Sequence, residues 1–127
     1  MNLLTPAEII ALHNKLIHRT GGSHGLRDEN LLESAVYSAM TSFGEQEQYP
    51  TAEEKAARLM FALTANHAFV DGNKRIGVLV MLMTLQLNQV KLQYTQAELI
   101  SLSLSVADGK TDYPEILSWI QNHKTKP

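Results

Sequence analysis

Nine consecutive residues, His67-Ala68-Phe69-Val70-Asp71-Gly72-Asn73-Lys74-Arg75, bring together an imidazole, a carboxylate, an amide and two cations. His67 is a side chain that accepts a proton near neutral pH and so activates a hydroxyl. Asp71 offers the hard oxygens that Mg²⁺ takes, one or two carboxylates at a time, alongside phosphate oxygens and water. Gly72 lets backbone approach a ligand closely. Lys74 and Arg75 follow in the predicted first turn of a helix, where backbone N–H groups lack internal partners and the dipole is positive. Two cations at that end destabilise the helix unless an anion sits there, and phosphate fits the requirement. Base, metal ligand and anion cradle thus fall together. A lone histidine at a helix end is most often structural, and two cations can serve surface ion pairs. The four-residue offset from His67 to Asp71 and the Gly-Asn-Lys-Arg run that follows weigh against the first reading, and the helix dipole against the second.

The elements that must carry this segment are helices. Thr5-Pro6-Ala7-Glu8 is a capping box with proline at the first helical position, and Ile9, Leu12, Leu16 and Ile17 give helix one an apolar face ending near Gly21-Gly22. Asp28 caps a second helix with the stripe Leu31, Leu32, Ala35, Val36, Ala39 and Met40. Thr51-Ala52-Glu53-Glu54 opens a third, buried through Leu59, Met60 and Leu63 and running up to His67. Helix four starts near Asn73 and carries an apolar run to Leu87; being apolar nearly all round, it belongs at the centre. Thr95-Gln96-Ala97-Glu98 opens a fifth, with Leu99, Leu102 and Val106 inward and Gly109 as its stop. Asp112 to Glu115 caps a sixth, carrying Ile116, Leu117 and Ile120. No stretch alternates over strand length, so Ser42 to Pro50 and Val90 to Tyr94 are the extended candidates. The expectation is an all-α compact bundle of about six helices around a central buried helix, one domain over residues 1–127.

Composition narrows the function classes. A chain of 127 residues fits one core. Its formal net charge of −2 creates no global attraction to nucleic acid or to an acidic membrane. There is no cysteine, which removes disulfides, thiolate zinc sites and thiol nucleophiles. The longest apolar stretch, Ile76 to Leu87, falls short of the roughly 20 residues that span a bilayer. The opening Met-Asn-Leu-Leu-Thr-Pro lacks the basic and apolar regions of a signal peptide, so a cytoplasmic location is expected. His13 and His18 have no third ligand in phase and read as exposed or capping residues, and the absence of His-Glu-x-x-His disfavours zinc. The five Met residues read as core filling, and Glu45 and Glu47 as part of a solvated loop. Gly72-Asn73-Lys74 is not a Walker A motif, whose first glycine and Ser/Thr after lysine are missing.

The run His67-x-Phe69-x-Asp71-Gly72-Asn73-x-Arg75 resembles the signature loop of the Fic/Doc superfamily, and its Asn73-Lys74-Arg75 version resembles the Doc (death-on-curing) branch. The resemblance extends to Gly25-Leu26-Arg27-Asp28 with Leu31, Leu32, Glu33, Ser34 and Ala35, and to the all-helical order. It implies a fold in which the loop cradles ATP with Mg²⁺ and a phosphorus-containing group passes to a target-protein hydroxyl. By position, His67 would be the general base and Asp71 the magnesium ligand. Asn73 and adjoining backbone, Gly72 included, would form the anion hole; Lys74 and Arg75 would hold nucleotide phosphates, and Phe69 would anchor the loop. Ser42 to Pro50 sits where the family has a flap that holds the target's main chain by strand addition.

Two departures bear on the reaction. Adenylylating Fic enzymes resemble one another in having glycine where this chain has Lys74 and a second arginine where it has Val78. The lysine moves positive charge outward, and the missing arginine removes a second grip on the polyphosphate. Members with this pattern are understood to bind ATP reversed, which implies γ-phosphate transfer. The inhibitory string of Ser or Thr, three residues, then Glu followed by Gly or Asn does not occur, and Doc-like proteins are instead held off by an antitoxin whose C-terminal segment docks in a groove. Three functions stand open on the sequence. One is a Doc-like toxin that phosphorylates a bacterial protein, elongation factor Tu being the precedent the resemblance supplies; the others are a protein adenylyltransferase and a non-enzymatic anion- or partner-binding module.

Overall fold

Where each helix starts is decided by a side chain that can satisfy its first N–H groups. In the computed structural model, which describes residues 1–125, Thr5, Thr51 and Thr95 head reciprocal capping boxes with Glu8, Glu54 and Glu98, and Asp28 accepts from the Leu31 N–H. The resulting elements are α1 (Pro6–Thr20), α2 (Glu29–Ser38), β1 (Ser42–Phe43), β2 (Gln46–Glu47), α3 (Ala52–Asn66), α4 (Asn73–Leu87), α5 (Gln96–Ala107) and α6 (Tyr113–His123). The all-α bundle of six helices is as expected. No described helix is long and apolar enough to cross a membrane.

Helix α4 shares the centre rather than holding it alone. Helix α3 packs against α2, α4, α5 and α6, and together α3 and α4 form a spine with a core on each side. On one side Leu59 and Leu63 of α3 meet Ile76 and Val80 of α4, Ile9 of α1 and Leu32 and Val36 of α2. On the other, Ala56 and Met60 meet Met81 and Leu85, with Leu102 of α5 and Ile116 and Ile120 of α6. The all-round apolarity of α4 reflects this double duty, since its two faces feed separate clusters. Gly77 lets the spine close up: a Cβ there would lie 2.5 Å from Thr64 Oγ1 and 3.1 Å from the Met60 carbonyl.

The extended candidates are short. β1 and β2 form an antiparallel hairpin with Ser42 opposite Glu47 and Phe43 opposite Gln46. Gly44 takes φ 63° at the first loop position, as a two-residue type II′ connection requires. Residues 41–48 are exposed, Phe43 included. The hairpin's root is nonetheless tied down. Lys55 of α3 is buried, its Nζ donating to the Ala39 carbonyl at 3.2 Å and pairing with Glu47 at 2.9 Å, so Glu47, exposed as expected of a solvated loop, also anchors the hairpin. Residues 90–94 contribute only the bridge between Leu92 and Lys124. Met60 and Met81 fill the core as expected, whereas Met40 lies beyond the end of α2 and is exposed, as is Met1.

Candidate active site

The loop between α3 and α4 is built by residues far from it in sequence. Helix α3 ends at His67, whose left-handed backbone (φ 52°, ψ 48°) turns the chain sharply and leaves the residue exposed. Non-glycine residues adopt that conformation at a cost of roughly 1–2 kcal/mol. Here the turn is held by Arg27, whose Nε and Nη2 both donate to the His67 carbonyl, at 2.8 and 2.6 Å. The neighbouring backbone is paired as well. Arg27 and Asp28 N–H groups donate to the Ala68 carbonyl, Val70 N–H donates to the Gly25 carbonyl, and Leu26 bridges Phe69. The Gly25-Leu26-Arg27-Asp28 string is therefore the brace of the loop.

Phe69 is buried and fixes the loop's middle. Asn73 closes the same turn, its side chain accepting from the Phe69 N–H and donating to the Phe69 carbonyl, both at 3.0 Å. Its amide oxygen and one amide N–H are thus engaged within the loop, and its backbone N–H has no acceptor there. Gly72 follows in the left-handed region (φ 78°), with α1 so close that a Cβ would lie 3.0 Å from Ile17 Cδ1. No side chain caps α4, and the N–H groups of Asn73, Lys74 and Arg75 point out of its first turn without intrahelical acceptors.

Around that helix end the charges divide. Asp71 Oδ2 accepts from the Ser23 N–H at 3.1 Å and Oδ1 from the Gly72 N–H at 2.8 Å; these bonds, with the charge of Arg75, hold its carboxyl below the usual carboxylate range. Arg75 is tied to the end of α1, donating to Thr20 Oγ1 at 2.7 Å and the Gly21 carbonyl at 2.8 Å, and lies 3.4 Å from Asp71 Oδ1. Lys74 has no ion-pair partner among the described residues. It lines a cavity of about 250 Å³ with Val78 of α4 and Leu99, Ile100 and Leu104 of α5. His67, Asp71, Gly72, Asn73, Lys74 and Arg75 are so gathered at one helix junction.

One expectation fails. His13 is neither exposed nor a cap: it is buried, its ring stacks on Phe69 at 3.9 Å, and its Nε2 lies 2.7 Å from the Asp71 carbonyl. Its signal was in the sequence, since position 13 falls on the same apolar face as Ile9 and Ile17. His18 is exposed as expected.

A sequence model of the Fic/DOC family matches residues 3–85, which take in the brace, the loop and nearly all of α4. The chain belongs to the Fic/DOC family. It is 31% identical over 110 residues to the Protein kinase doc of Escherichia phage P1, covering 87% of this chain and 86% of that protein. It is 39% identical over 72 residues to the Toxin Doc of Mycolicibacterium smegmatis, covering 57% of this chain and 55% of that one. Both place it in the Doc branch of the family. The Fic/DOC match spans the helices that build the site, so the local geometry and the family assignment concern the same residues.

Proposed function

We propose that this Fic/DOC protein is a Doc-type toxin acting in the cytoplasm as one domain, a protein kinase that passes the γ-phosphate of ATP to a hydroxyl of a bacterial target protein. The uncapped start of α4 carries the reading: free N–H groups, a left-handed glycine and a lysine with no ion-pair partner among the described residues surround one end of a helix, next to an ionised carboxylate. The fit to Mg²⁺ rests on the donor set. Asp71 keeps lone pairs on both oxygens, and no group of three or more His, Asp or Glu among the described residues could hold a metal unaided. An ion bound there takes its other ligands from phosphate and water, which is how Mg²⁺ usually binds. When bound, Mg²⁺ neutralises charge on the polyphosphate.

The residues then divide the work. His67 takes the proton of the target hydroxyl as its oxygen attacks the γ-phosphorus, and the bond to the bridging oxygen breaks to release ADP. The N–H groups of Asn73, Lys74 and Arg75 and the ammonium of Lys74 hold phosphate oxygens, while Arg75, fastened to Thr20 and Gly21, supplies charge from a fixed position. Flap residues 42–50 offer unpaired hairpin edges to an extended stretch of target. A separate antitoxin, its C-terminal segment docked in a groove, restrains the enzyme. The names of the two relatives support the kinase and toxin parts of this reading. Induced expression is expected to arrest bacterial growth, and His67→Ala to relieve the arrest at equal protein level; arrest by the folded variant would remove His67 from the role of base.

A further inference from the structure

His13 takes no part in the transfer described above, yet it is a buried polar side chain pressed against the site. We propose that His13 is a positioning residue whose Nε2–H locks the Asp71–Gly72 peptide unit and so aims both the Asp71 carboxylate and the start of α4. The inference rests on the reading of Asp71 as ligand to a nucleotide-bound cation.

The 2.7 Å contact joins Nε2 to a backbone carbonyl, which can only accept, so Nε2 carries the hydrogen. That carbonyl and the Gly72 N–H belong to one peptide unit, and the N–H donates to Asp71's own Oδ1 at 2.8 Å. The unit is therefore held at both ends, by α1 at its oxygen and by the carboxylate at its nitrogen. Turning it over would withdraw the N–H from Oδ1 and move Gly72 out of its left-handed conformation, on which the direction of α4 depends. The ring cannot slide away, because it lies on Phe69 with only 11° between planes. Water cannot stand in for it, because the residue is 1% exposed. A leucine or phenylalanine would fill the same space; the donor is what the position adds.

The test measures binding of Mn²⁺, as a magnetic probe for Mg²⁺, in the presence of a non-hydrolysable ATP analogue, by electron paramagnetic resonance. His13→Phe keeps a stacking ring and loses the donor, and His13→Gln carries an amide N–H towards the same carbonyl. Mn²⁺ affinity is expected to fall about tenfold in His13→Phe, to stay near wild type in His13→Gln, and to be lost in Asp71→Asn. A folded His13→Phe with wild-type affinity would overturn the proposal, as would a His13→Gln that binds as poorly as Asp71→Asn. In the wild-type protein, a long-range ¹H–¹⁵N spectrum is expected to show the Nε2–H form of His13, and the Nδ1–H tautomer would overturn the proposal without any variant. Should Asp71→Asn bind Mn²⁺ as well as wild type, the metal-ligand reading itself fails, a result separate from the His13 comparison.

Discussion

Asn73 holds the loop with its side chain, so in the proposed site its backbone N–H is what would meet an anion. Its two bonds to Phe69 sit in a half-buried turn, so Asn73→Ala leaves a donor and an acceptor short of partners, and a loss of about 2 kcal/mol is expected. Urea denaturation checks this. If stability is unchanged while nucleotide affinity falls, the side chain is a ligand group and not a clamp. Residue types alone led to His67, Asp71, Lys74 and Arg75, because their chemistry is concentrated in consecutive positions. The distant groups that hold this segment were not legible in that way. His13 reaches Asp71 across 58 positions, Ser23 across 48, and Arg27 reaches His67 across 40. Such pairings depend on the packing of α1 and α2 against the loop, which no local pattern encodes.

Elements were the most legible level, since a capping box is a contact over three residues and needs no tertiary information. The boxes at Thr5, Thr51 and Thr95 each open a helix where expected, and α4 spans Asn73–Leu87 as read. What the pattern lacked was the distance between elements. Gly77 looks like a weak point of α4, where alanine ordinarily adds about 0.5–1 kcal/mol. The spine reverses the sign, because the new methyl would meet Thr64 Oγ1 and the Met60 carbonyl. Gly77→Ala is expected to lower the melting temperature, and adding Thr64→Ala to restore part of the loss by clearing the hydroxyl. A more stable single variant would mean that α3 and α4 are not in such close contact. The hairpin illustrates the same limit: its extended character was foreseen, but its anchorage through buried Lys55 follows from α3 lying beneath it.

At the scale of the molecule, two cores on either side of the α3–α4 spine explain why the site half and the α5–α6 half use different fasteners. The second half is joined by His123 and Glu98, 2.8 Å apart, linking the end of α6 to the start of α5. The His123 hydrogen bond holds the Glu98 carboxyl at about 2, and Glu98 raises His123 above its usual 6.5. Glu98 stabilises fully above 4.5, an effect lost as pH falls towards 2; His123 stabilises fully below 6.5, an effect lost as pH rises through its raised value. Glu98→Gln should therefore lower the urea midpoint most between about pH 4.5 and 6.5, with the gap from wild type narrowing on both sides. A gap independent of pH would mean that the pair is not ionised in the folded protein. In the proposed function, which phosphorus moves turns on Lys74 at the head of α4. Purified protein can be incubated with a bacterial lysate and either γ- or α-labelled ATP: label is expected on protein from γ-labelled ATP alone, and transfer of the α label would exclude γ-phosphate transfer as the reaction.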